Sequence, residues 1–472
     1  MVFSSVFFLF FFLPALLVIY YFPAFRGRKL RNVVLLLFSL FFYGFGGWRL
    51  LPLIFCSILV NYICGRLTAK ERKQAVRKAA MWAAVILNLG LLFCFKYLGL
   101  VTRTLNALAP AFPVMELLLP IGISFYTFQS LSYVIDVYRG EAESQRNILW
   151  VALYIVFFPQ LVAGPIVRYS TVEDEILNRR ETLEDFTAGL TRFLFGLGKK
   201  VLLANPMGLL ADTAFGQSLN YLAAGSAWLG IVGYTLQIYF DFSGYSDMAI
   251  GLGKMFGFHF AENFNYPYVA RSITEFWRRW HISLSTWFRD YLYIPMGGNR
   301  CSHLKQIRNL FIVWALTGFW HGAQWNFLLW GLYYGVLIFC ERYLWGKALE
   351  RAPRVLRHVY TMLLVMVGWV LFRAADLSQI NSYLTIMFGG GKGGWWNDES
   401  IYLLLQYRWE LLIAVIASLP LKPWLQKHVE AMEGNKRFLI ETGVQLAALI
   451  VAAFSVVRLV SSGFNPFIYF QF

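Results

Sequence analysis

The chain has 472 residues, of which 58% are hydrophobic, 18% aromatic and only 14% charged, and its mean hydropathy is +0.54. A soluble protein of this size carries about a quarter charged residues, so the composition excludes a soluble chain and indicates many membrane spans. The net charge of +16 is concentrated in short connectors such as 66–78 and 342–357. Connectors of this kind stay cytoplasmic and attract the anionic lipid bilayer, so nucleic acid is excluded as a partner.

Apolar runs of about 20 residues predict the spans in chain order. They are expected at 3–23, 31–48, 50–65, 80–100, 115–135, 148–168, 187–204, 222–240, 308–320, 324–345, 359–373, 402–420 and 438–460. The first run lacks a basic start and a small-residue cleavage site, so it is predicted to be a retained span. Several runs are short or interrupted by glycine and are expected to re-enter the membrane. The prediction is an all-α polytopic membrane protein with about 11–13 transmembrane or re-entrant helices.

The basic connectors also predict the orientation. The second and third runs are expected to form a hairpin that turns at Gly46-Gly47-Trp48. The connector 347–357 is expected inside, the glycine-rich loop 388–396 outside, and 422–437 inside again, because short basic loops remain cytoplasmic. We expect one domain over 1–472, with a catalytic core at about 115–345 and a C-terminal span and aromatic tail at 438–472.

His321 lies in an apolar stretch, 316–323, and the hydrophobic run 325–338 follows it. An ionisable side chain at membrane depth costs several kcal/mol unless it faces a polar cavity or a partner, so it indicates a functional site. The alternative is a neutral imidazole that is hydrogen-bonded to a backbone carbonyl between packed helices.

A second histidine lies forty positions upstream. Trp277, Trp280 and His281 have the i, i+3, i+4 spacing of one helical face. This pattern predicts an interfacial amphipathic helix, with the aromatic rings at headgroup level and Arg278 and Arg279 in the polar zone. The alternative is a connector that only lies on the surface.

Other polar residues stand among apolar neighbours. Arg289 and Asp290 are adjacent in an aromatic segment, which predicts an internal ion pair or an anion contact in a cavity. Asp241 and Ser243 follow an apolar run, and Gln129 is similarly placed. These three could line a tunnel or hold an imidazole, or they could form hydrogen bonds between helices.

Several motifs in order along the chain resemble those of the membrane-bound O-acyltransferases, and most closely the bacterial branch of alginate O-acetylation proteins. They are Pro120–Gln129, Phe158–Ile166, Gln237–Asp247, Phe276–Ser285, Arg289–Pro295, Gly297–Arg300 and Gly318–Gly322. The resemblance covers the whole chain. It implies a helical bundle around a central tunnel.

The resemblance also implies an activity and a location. A thioester donor, acetyl-CoA, would enter from the cytosol, and its acyl group would pass to the hydroxyl of an extracytoplasmic polysaccharide such as alginate or a cell-wall glycan. His321 matches the catalytic position, and a histidine suits a general base near neutral pH; His281 matches a second motif residue, expected nearer the cytosolic entrance. The residues expected along the substrate path are Trp277, Arg278, Arg279, Arg289, Asp290, Trp320, Asp241, Ser243 and Gln129.

The family further implies a multi-pass protein of the bacterial inner membrane and a separate extracytoplasmic partner of the SGNH esterase type. No bound cofactor is expected. The five cysteines are scattered without a CxxC pair, so neither a disulfide framework nor a metal site is predicted. The alternatives are D-alanyl or other acyl transfer to teichoic acid or peptidoglycan, and, in a different class, a polysaccharide or lipid transporter.

The segment 463–472 ends the chain without a charged side chain. One interpretation is an interfacial aromatic anchor. The other is that the tail folds back and offers the Tyr469 hydroxyl to the acyl group, as the resemblance to a tyrosine-bearing motif of the D-alanylation system implies. A phenol with a pKa near 10 leaves more easily than a serine hydroxyl, so Tyr469 is the third candidate catalytic residue.

Overall fold

The computed structural model describes residues 1–430, 432 and 434–468, and every regular element in this part of the chain is helical. The chain forms two compact units. The first unit comprises Met1–Phe193 and Ser246–Ala261, and the second comprises Leu194–Tyr245 and Glu262–Phe472. The expectation of a single domain stays a prediction.

Short and medium helices build the first unit. They are α1 (Leu13–Tyr21), α2 (Arg28–Phe45), α3 (Leu51–Leu67), α4 (Gln74–Leu92), α5 (Leu98–Leu108), α6 (Ile123–Arg139), α7 (Ile148–Val156), α8 (Phe158–Leu161), α9 (Tyr169–Asn178) and most of α10 (Leu183–Gly198). The helices are interrupted where the turn is predicted, because α2 ends at Phe45 and α3 begins at Leu51; the pairing of the two as a hairpin stays a prediction. Phenylalanine rings from residues 3, 8, 12, 42 and 158 pack together in the core of this unit.

The second unit contains the longer helices. They are α11 (Asn205–Phe215), most of α12 (Ala224–Met255), α13 (Ile273–Arg279), α14 (Ile282–Phe288), α15 (His303–His321), α16 (Trp325–Cys340), α17 (Gly346–Arg351), α18 (Arg354–Arg373), α19 (Leu377–Met387), α20 (Asp398–Ala417), α21 (Leu421–Glu430) and α22 (Asn435–Ser461). Side chains cap the N-termini of several of these helices. Ser272, Asp376 and Asn397 each accept a hydrogen bond from a first-turn amide of the helix that follows, which satisfies one of the amides that a helix start leaves without a partner.

Shorter helical segments link these helices. In the described part of the chain, π-helical segments cover Phe8–Phe12, Phe93–Tyr97, Lys199–Ala204, Arg289–Tyr293 and Glu341–Trp345. Complete 3₁₀ segments within it cover Pro23–Phe25, Trp48–Leu50 and Pro267–Val269. π-Helical segments often lie at functional sites, and the one at Lys199–Ala204 bears on the site described below.

Seven helices of the described chain are long and apolar enough to cross a membrane. They are Trp48–Leu67, Gln74–Leu108, Leu183–Phe215, Trp325–Arg351, Arg354–Arg373, Asp398–Ala417 and Lys436–Ser461. A shorter apolar helix covers Phe8–Tyr21. The chain is thus a polytopic helical membrane protein, as the composition predicts.

One predicted span is wrong over its first part. The run 115–135 is not one helix, because the chain is non-helical from residue 109 to 122 and α6 begins only at Ile123. Pro110, Pro113 and Pro120 fall in this stretch, and proline both removes a backbone donor and disfavours helix at the residue before it. The pattern of hydrophobic residues alone does not show that these prolines prevent a helix.

The run 148–168 is likewise divided, into α7 and the four-residue α8, with non-helical chain from Val162 to Arg168. Pro159 lies in the first turn of α8. Such a short broken segment agrees with the prediction that some apolar runs do not cross the membrane as straight helices.

Two glycines bring α15 and α16 into close contact. A Cβ atom on Gly318 would collide with the carbonyl of Phe327, and one on Gly331 would collide with the carbonyl of Trp314. Small residues at a crossing let helix backbones approach each other in membrane proteins. The crossing holds His321, the last residue of α15, beside the first turns of α16.

Candidate active site

The second motif histidine lies at a break between two short helices. α13 ends at Arg279, Trp280 is extended, and His281 has a left-handed backbone with φ of 44°. The segment around Asn263 causes the break, because the carbonyl of Asn263 accepts the amide of Ile282 at 2.9 Å. The prediction that Trp277, Trp280 and His281 share one continuous helical face is therefore wrong.

The predicted interfacial position of these aromatic side chains is also wrong. Trp277 and Trp280 are both buried. The Trp277 ring packs edge-on against Trp314 at 4.9 Å and Tyr334 at 4.9 Å, and Trp280 lies 5.0 Å from Trp369. The two tryptophans belong to the aromatic core of the second unit, which offers more apolar contact than a headgroup layer.

The hydrogen bonds of Asn263 define the protonation of His281. Asn263 Oδ1 accepts hydrogen bonds from the backbone amide of Ser283 at 3.1 Å and from the Ser283 hydroxyl at 2.8 Å, and it lies 3.2 Å from His281 Nδ1. A backbone amide can only donate, so this atom is the amide oxygen, and His281 Nδ1 must carry the proton. Nε2 therefore holds the lone pair.

His281 is 1% exposed. Its ring meets the Phe242 ring edge-on at 4.6 Å. Burial lowers the pKa of His281 to about 3, because an apolar environment disfavours the charged imidazolium. The ring is thus neutral at physiological pH, with Nε2 as its basic atom.

His321 lies at the C-terminal end of α15 and is buried among aromatic rings. The centre of the imidazole ring lies 5.0 Å from that of the Trp320 ring, 5.0 Å from that of Trp330 and 5.2 Å from that of Phe372, each in an edge-on arrangement. His281 lies 5.9 Å from the same Trp320 ring. The two histidines, forty positions apart in sequence, therefore flank a single indole.

A small cavity opens beside His321. Its volume is about 20 Å³, and it is lined by Ile238, Phe242, Trp280, His321, Trp330, Trp369, Phe372 and Ile468. A volume of this size can hold about one water-sized group. Apart from the imidazole, the lining side chains are aliphatic or aromatic, and the polar groups among them are the indole N–H groups of Trp280, Trp330 and Trp369.

Glu341 fixes the start of α13, the helix that leads to His281. Its carboxylate accepts the amide of Ile273 at 2.6 Å, the amide of Thr274 at 2.8 Å and the Thr274 hydroxyl at 2.6 Å. A negative group at a helix N-terminus is stabilising because the first amides lack helical partners. Glu341 is not among the residues predicted from the sequence.

Asp241 is not hydrogen-bonded to either imidazole among the described residues. Its carboxylate forms an ion pair with Lys200 at 2.7 Å and accepts the amide of Ile468 at 2.8 Å. The interpretation that Asp241 holds an imidazole is thus wrong. Lys200 is not among the residues predicted from the sequence, although a lysine within an apolar helix is a usable signal.

The arginines on the predicted substrate path are more exposed than the aromatic site. Arg278 and Arg289 are exposed and Arg279 is partly buried. Arg279 pairs with Glu275 at 2.9 Å, and Arg289 pairs with Asp290 at 2.6 Å. The predicted Arg289–Asp290 ion pair is present, but the guanidinium, with 60% of its side chain exposed, is not internal.

The remaining predicted residues are dispersed. Gln129 is buried in α6 of the first unit, and Ser243 is buried in α12. Neither contributes to the lining of the cavity beside His321. Tyr469 lies outside the described residues, so its role stays a prediction.

Comparison with known proteins agrees with this polytopic helical fold. A model described as MBOAT, membrane-bound O-acyltransferase family, matches residues 141–372. Probable alginate O-acetylase AlgI of Azotobacter vinelandii is 42% identical to the chain, over 100% of both sequences. The chain belongs to the membrane-bound O-acyltransferase family and is an O-acyltransferase.

Two other relatives act on different cell-wall polymers, according to their names. Peptidoglycan O-acetyltransferase of Helicobacter pylori is 36% identical over 75% of this chain and 73% of its own length. Teichoic acid D-alanyltransferase of Bacillus subtilis is 30% identical over 56% of this chain and 71% of its own length. The relatives thus share acyl transfer but differ in acyl group and acceptor.

Proposed function

We propose that this protein is an O-acetyltransferase of the bacterial inner membrane, which takes acetyl groups from cytosolic acetyl-CoA for O-acetylation of an extracytoplasmic polysaccharide such as alginate. The position of His321 in the wall of an apolar cavity carries this proposal. Full-length similarity to a probable alginate O-acetylase supports the choice of acetyl group and polymer.

In the proposed reaction, His321 acts as general base. Its imidazole takes the proton of an acceptor hydroxyl as the oxygen attacks the thioester carbonyl. The C–S bond breaks, the coenzyme A thiolate leaves and is protonated, and an acetyl ester remains. A histidine contributes typically 10²–10⁴-fold to such a step.

The aromatic walls would support this chemistry by limiting water. Trp330, Trp369 and Phe372 surround the cavity beside His321. Exclusion of water protects a reactive thioester from hydrolysis and strengthens electrostatic interactions inside the site. The neutral His281, whose Nε2 holds a lone pair, would act as a second hydrogen-bond acceptor behind Trp320.

Exposed arginines would attract the donor. Coenzyme A carries phosphates, and arginine binds phosphate in a bidentate manner. Arg278 and Arg289 are both exposed, which makes their guanidinium groups accessible to an anionic ligand. An alternative is that these arginines anchor to lipid headgroups, and an unchanged KM for acetyl-CoA in Arg289→Glu would support that alternative.

The acetyl group would then reach the outer side through Tyr469. The proposed acceptor is the Tyr469 hydroxyl, which forms a phenyl ester and passes the acetyl group to a serine of a separate SGNH-type partner. Ile468, the residue before it in sequence, lines the cavity with His321, which supports this role. Intact-mass analysis of the C-terminal peptide during turnover is expected to detect an acetyl adduct in the wild type and none in Tyr469→Phe.

The test of the base compares His321→Ala and His321→Gln with the wild type in membrane vesicles supplied with [¹⁴C]acetyl-CoA. Both variants are expected to lose at least about 10²-fold in acetyl transfer while keeping the wild-type melting temperature. Leu316→Ala, at an exposed position of the same helix, is the matched control and should transfer acetyl normally. Wild-type transfer by a folded His321→Ala protein would refute the assignment.

A second candidate function is D-alanyl transfer, which the similarity to a teichoic acid D-alanyltransferase favours. Vesicles would be supplied with acetyl-CoA or with a D-alanyl thioester in parallel. Transfer from the D-alanyl donor alone would replace the acetyl proposal. A polysaccharide transporter would move polymer without breaking either thioester.

A further inference from the structure

A buried ion pair lies between the central helices of the second unit and the C-terminal segment. Lys200 Nζ lies 2.7 Å from Asp241 Oδ1, and their side chains are 4% and 1% exposed. Lys200 belongs to the π-helical segment Lys199–Ala204, within the candidate span Leu183–Phe215. Charged residues in a membrane span are costly and mark functional positions by default.

The Lys200 ammonium, which has three donors, is surrounded by three oxygens. It donates hydrogen bonds to Asn205 Oδ1 at 2.9 Å and to the backbone carbonyl of Pro466, and it forms the ion pair with Asp241 Oδ1 at 2.7 Å. The second carboxylate oxygen of Asp241 accepts the backbone amide of Ile468 at 2.8 Å. The pair is thus completed by one acceptor and one donor from the C-terminal segment.

Further contacts hold the same segment. Asn205 Nδ2 donates to the carbonyl of Phe464 at 3.3 Å. The Phe467 ring stacks on Tyr245 at 4.7 Å. The Ile468 side chain lines the cavity that contains His321. Within the described residues 464–468, the hydrogen bonds of the charged pair go to backbone atoms, so the pair fixes the path of the chain and does not depend on the identity of these side chains.

The approach of α22 explains how the segment reaches this position. A Cβ atom on Gly198 would collide with Val451 of α22, so α22 packs closely at the start of the π-helical segment. The chain leaves α22 after Ser461 and returns as non-helical residues 462–467. A buried pair that lacked the segment would keep one ammonium N–H and one carboxylate oxygen without partners, which is costly in a low-dielectric interior.

We propose that Lys200 and Asp241 are positioning residues that hold the C-terminal segment Phe464–Ile468 in the active site, so that Ile468 completes the wall of the His321 cavity. The contribution of the pair to catalysis rests on the proposed acetyl transfer, whereas the retention of the segment by the pair does not depend on it. The pair acts through the segment and does not touch the reacting atoms.

The test uses the full-length protein with both charges removed, Lys200→Met/Asp241→Asn. Removal of both partners avoids a single uncompensated charge, and replacement of a whole buried pair is often neutral for stability. Hydrogen exchange of the C-terminal peptide is measured in detergent. Exchange in residues 464–468 is expected to be at least about tenfold faster than in the wild type, as loss of a hydrogen bond of ordinary strength predicts.

Acetyl transfer from [¹⁴C]acetyl-CoA in vesicles gives the second measurement. The kcat is expected to fall at least about tenfold, while the KM for acetyl-CoA stays within about twofold, because the proposed role of the pair is to hold the segment and not to bind the donor. The control is Arg373→Met/Asp212→Asn, which removes an ion pair of 2.7 Å between α18 and α11. Among the described residues neither partner contacts 464–468, and this variant should change neither measurement.

A charge swap separates retention of the segment from fold stability. Lys200→Asp/Asp241→Lys keeps two opposite charges. It places an ammonium opposite the Ile468 amide, which is also a donor, and a carboxylate opposite the Pro466 carbonyl, which is also an acceptor, so neither hydrogen bond can form. It is expected to release the segment as the double neutral variant does. Unchanged exchange in both variants would overturn the proposal, and so would faster exchange with an unchanged kcat. If the wild type transfers no acetyl group, the proposed function fails, whereas the exchange comparison still decides whether the pair holds the segment.

Discussion

The protonation of His281 depends on one amide side chain. Asn263 Oδ1 accepts the Ser283 amide and hydroxyl and therefore leaves His281 Nδ1 as the donor. The orientation of this ring, and with it the lone pair on Nε2, follows from a neutral acceptor. A charged acceptor in the same place would stabilise the imidazolium and remove that lone pair.

Asn263→Asp is expected to raise the pKa of His281 from its buried value of about 3 toward neutrality. Since only the neutral ring offers a lone pair, acetyl transfer should then fall at a higher pH than in the wild type, which keeps the ring neutral down to acid pH. The measurement is kcat against pH between 5 and 8. Ser283→Ala, which removes one donor to the same oxygen, should leave the profile in place. Superimposable profiles for Asn263→Asp and wild type would exclude a catalytic role of the neutral ring.

His321 could be singled out from the sequence because an ionisable group within apolar residues is rare, whereas His281 was indicated by the aromatic spacing and by the family motif around it. Lys200 carries the same signal as His321, but its neighbour Lys199 makes the pair resemble the basic end of a span. Its partner Asp241 is 41 positions away, and no periodicity relates them. Asn263 could not be predicted either, since its contacts depend on how a turn-rich connector folds against the α13–α14 break.

Glycine contacts between two helices position His321, the proposed general base. Gly318 and Gly331 allow the backbones of α15 and α16 to touch, which places His321 against Trp330. The sequence predicted both helices from their apolar runs. It did not predict the end of α13 at Arg279, because hydrogen bonds from the Asn263–Asn265 segment replace helical ones and a local pattern does not contain them.

Gly331→Ala is expected to separate α15 from α16 and to shift His321. Its Cβ would meet the carbonyl of Trp314, and overpacking of this kind costs about 1–3 kcal/mol. The melting temperature in detergent should fall, and kcat should fall more than tenfold at saturating donor. Gly90→Ala, where nothing lies within 4 Å of the added atom, is the control for the general effect of alanine in a span. Wild-type kcat in Gly331→Ala would disprove the role of this crossing.

Glu181 joins several elements of the first unit. Its carboxylate pairs with Arg28 and with Arg31 at 2.9 Å, lies 3.7 Å from Arg179, and accepts the Tyr20 hydroxyl. Burial alone would raise the pKa of Glu181, but hydrogen bonds from Arg28 and Tyr20 and the charges of Arg28 and Arg179 outweigh it and lower the pKa to about 2. One carboxylate therefore stabilises α1, α2 and the chain after α9 together.

This carboxylate should make the protein sensitive to acid. Its folded pKa lies below the unfolded value, so its contribution is complete above about pH 4.5 and is lost as the pH falls toward 2. The shift corresponds to about 3 kcal/mol. Unfolding of wild type and Glu181→Gln in detergent is compared from pH 7 to 3, and the stability difference should shrink with acid. Glu441→Gln, from an exposed pair with Arg437, should follow the wild type. A difference that does not change with pH would contradict this assignment.

Over the whole chain, single candidate spans separate charged segments, and this predicts the membrane orientation. Lys347 and Lys392 are both exposed and only one candidate span, Arg354–Arg373, separates them. Another span, Asp398–Ala417, separates Lys392 from Lys427. The basic connectors around 347 and 427 should stay in the cytoplasm, so the glycine-rich loop that contains Lys392 should lie outside.

Single cysteines at these three lysines, in a chain without its five native cysteines, are expected to report this orientation in intact cells. A membrane-impermeant maleimide should label Lys392→Cys directly, and should label Lys347→Cys and Lys427→Cys only after permeabilisation. The last span, Lys436–Ser461, would then deliver the C-terminal segment to the outer side, where an acyl group bound for an extracytoplasmic polymer must leave. Labelling of Lys427→Cys in intact cells would instead show that this span starts outside and that its end reaches the cytoplasm. A route for the acyl group through the C-terminal segment to an extracytoplasmic partner would then be excluded.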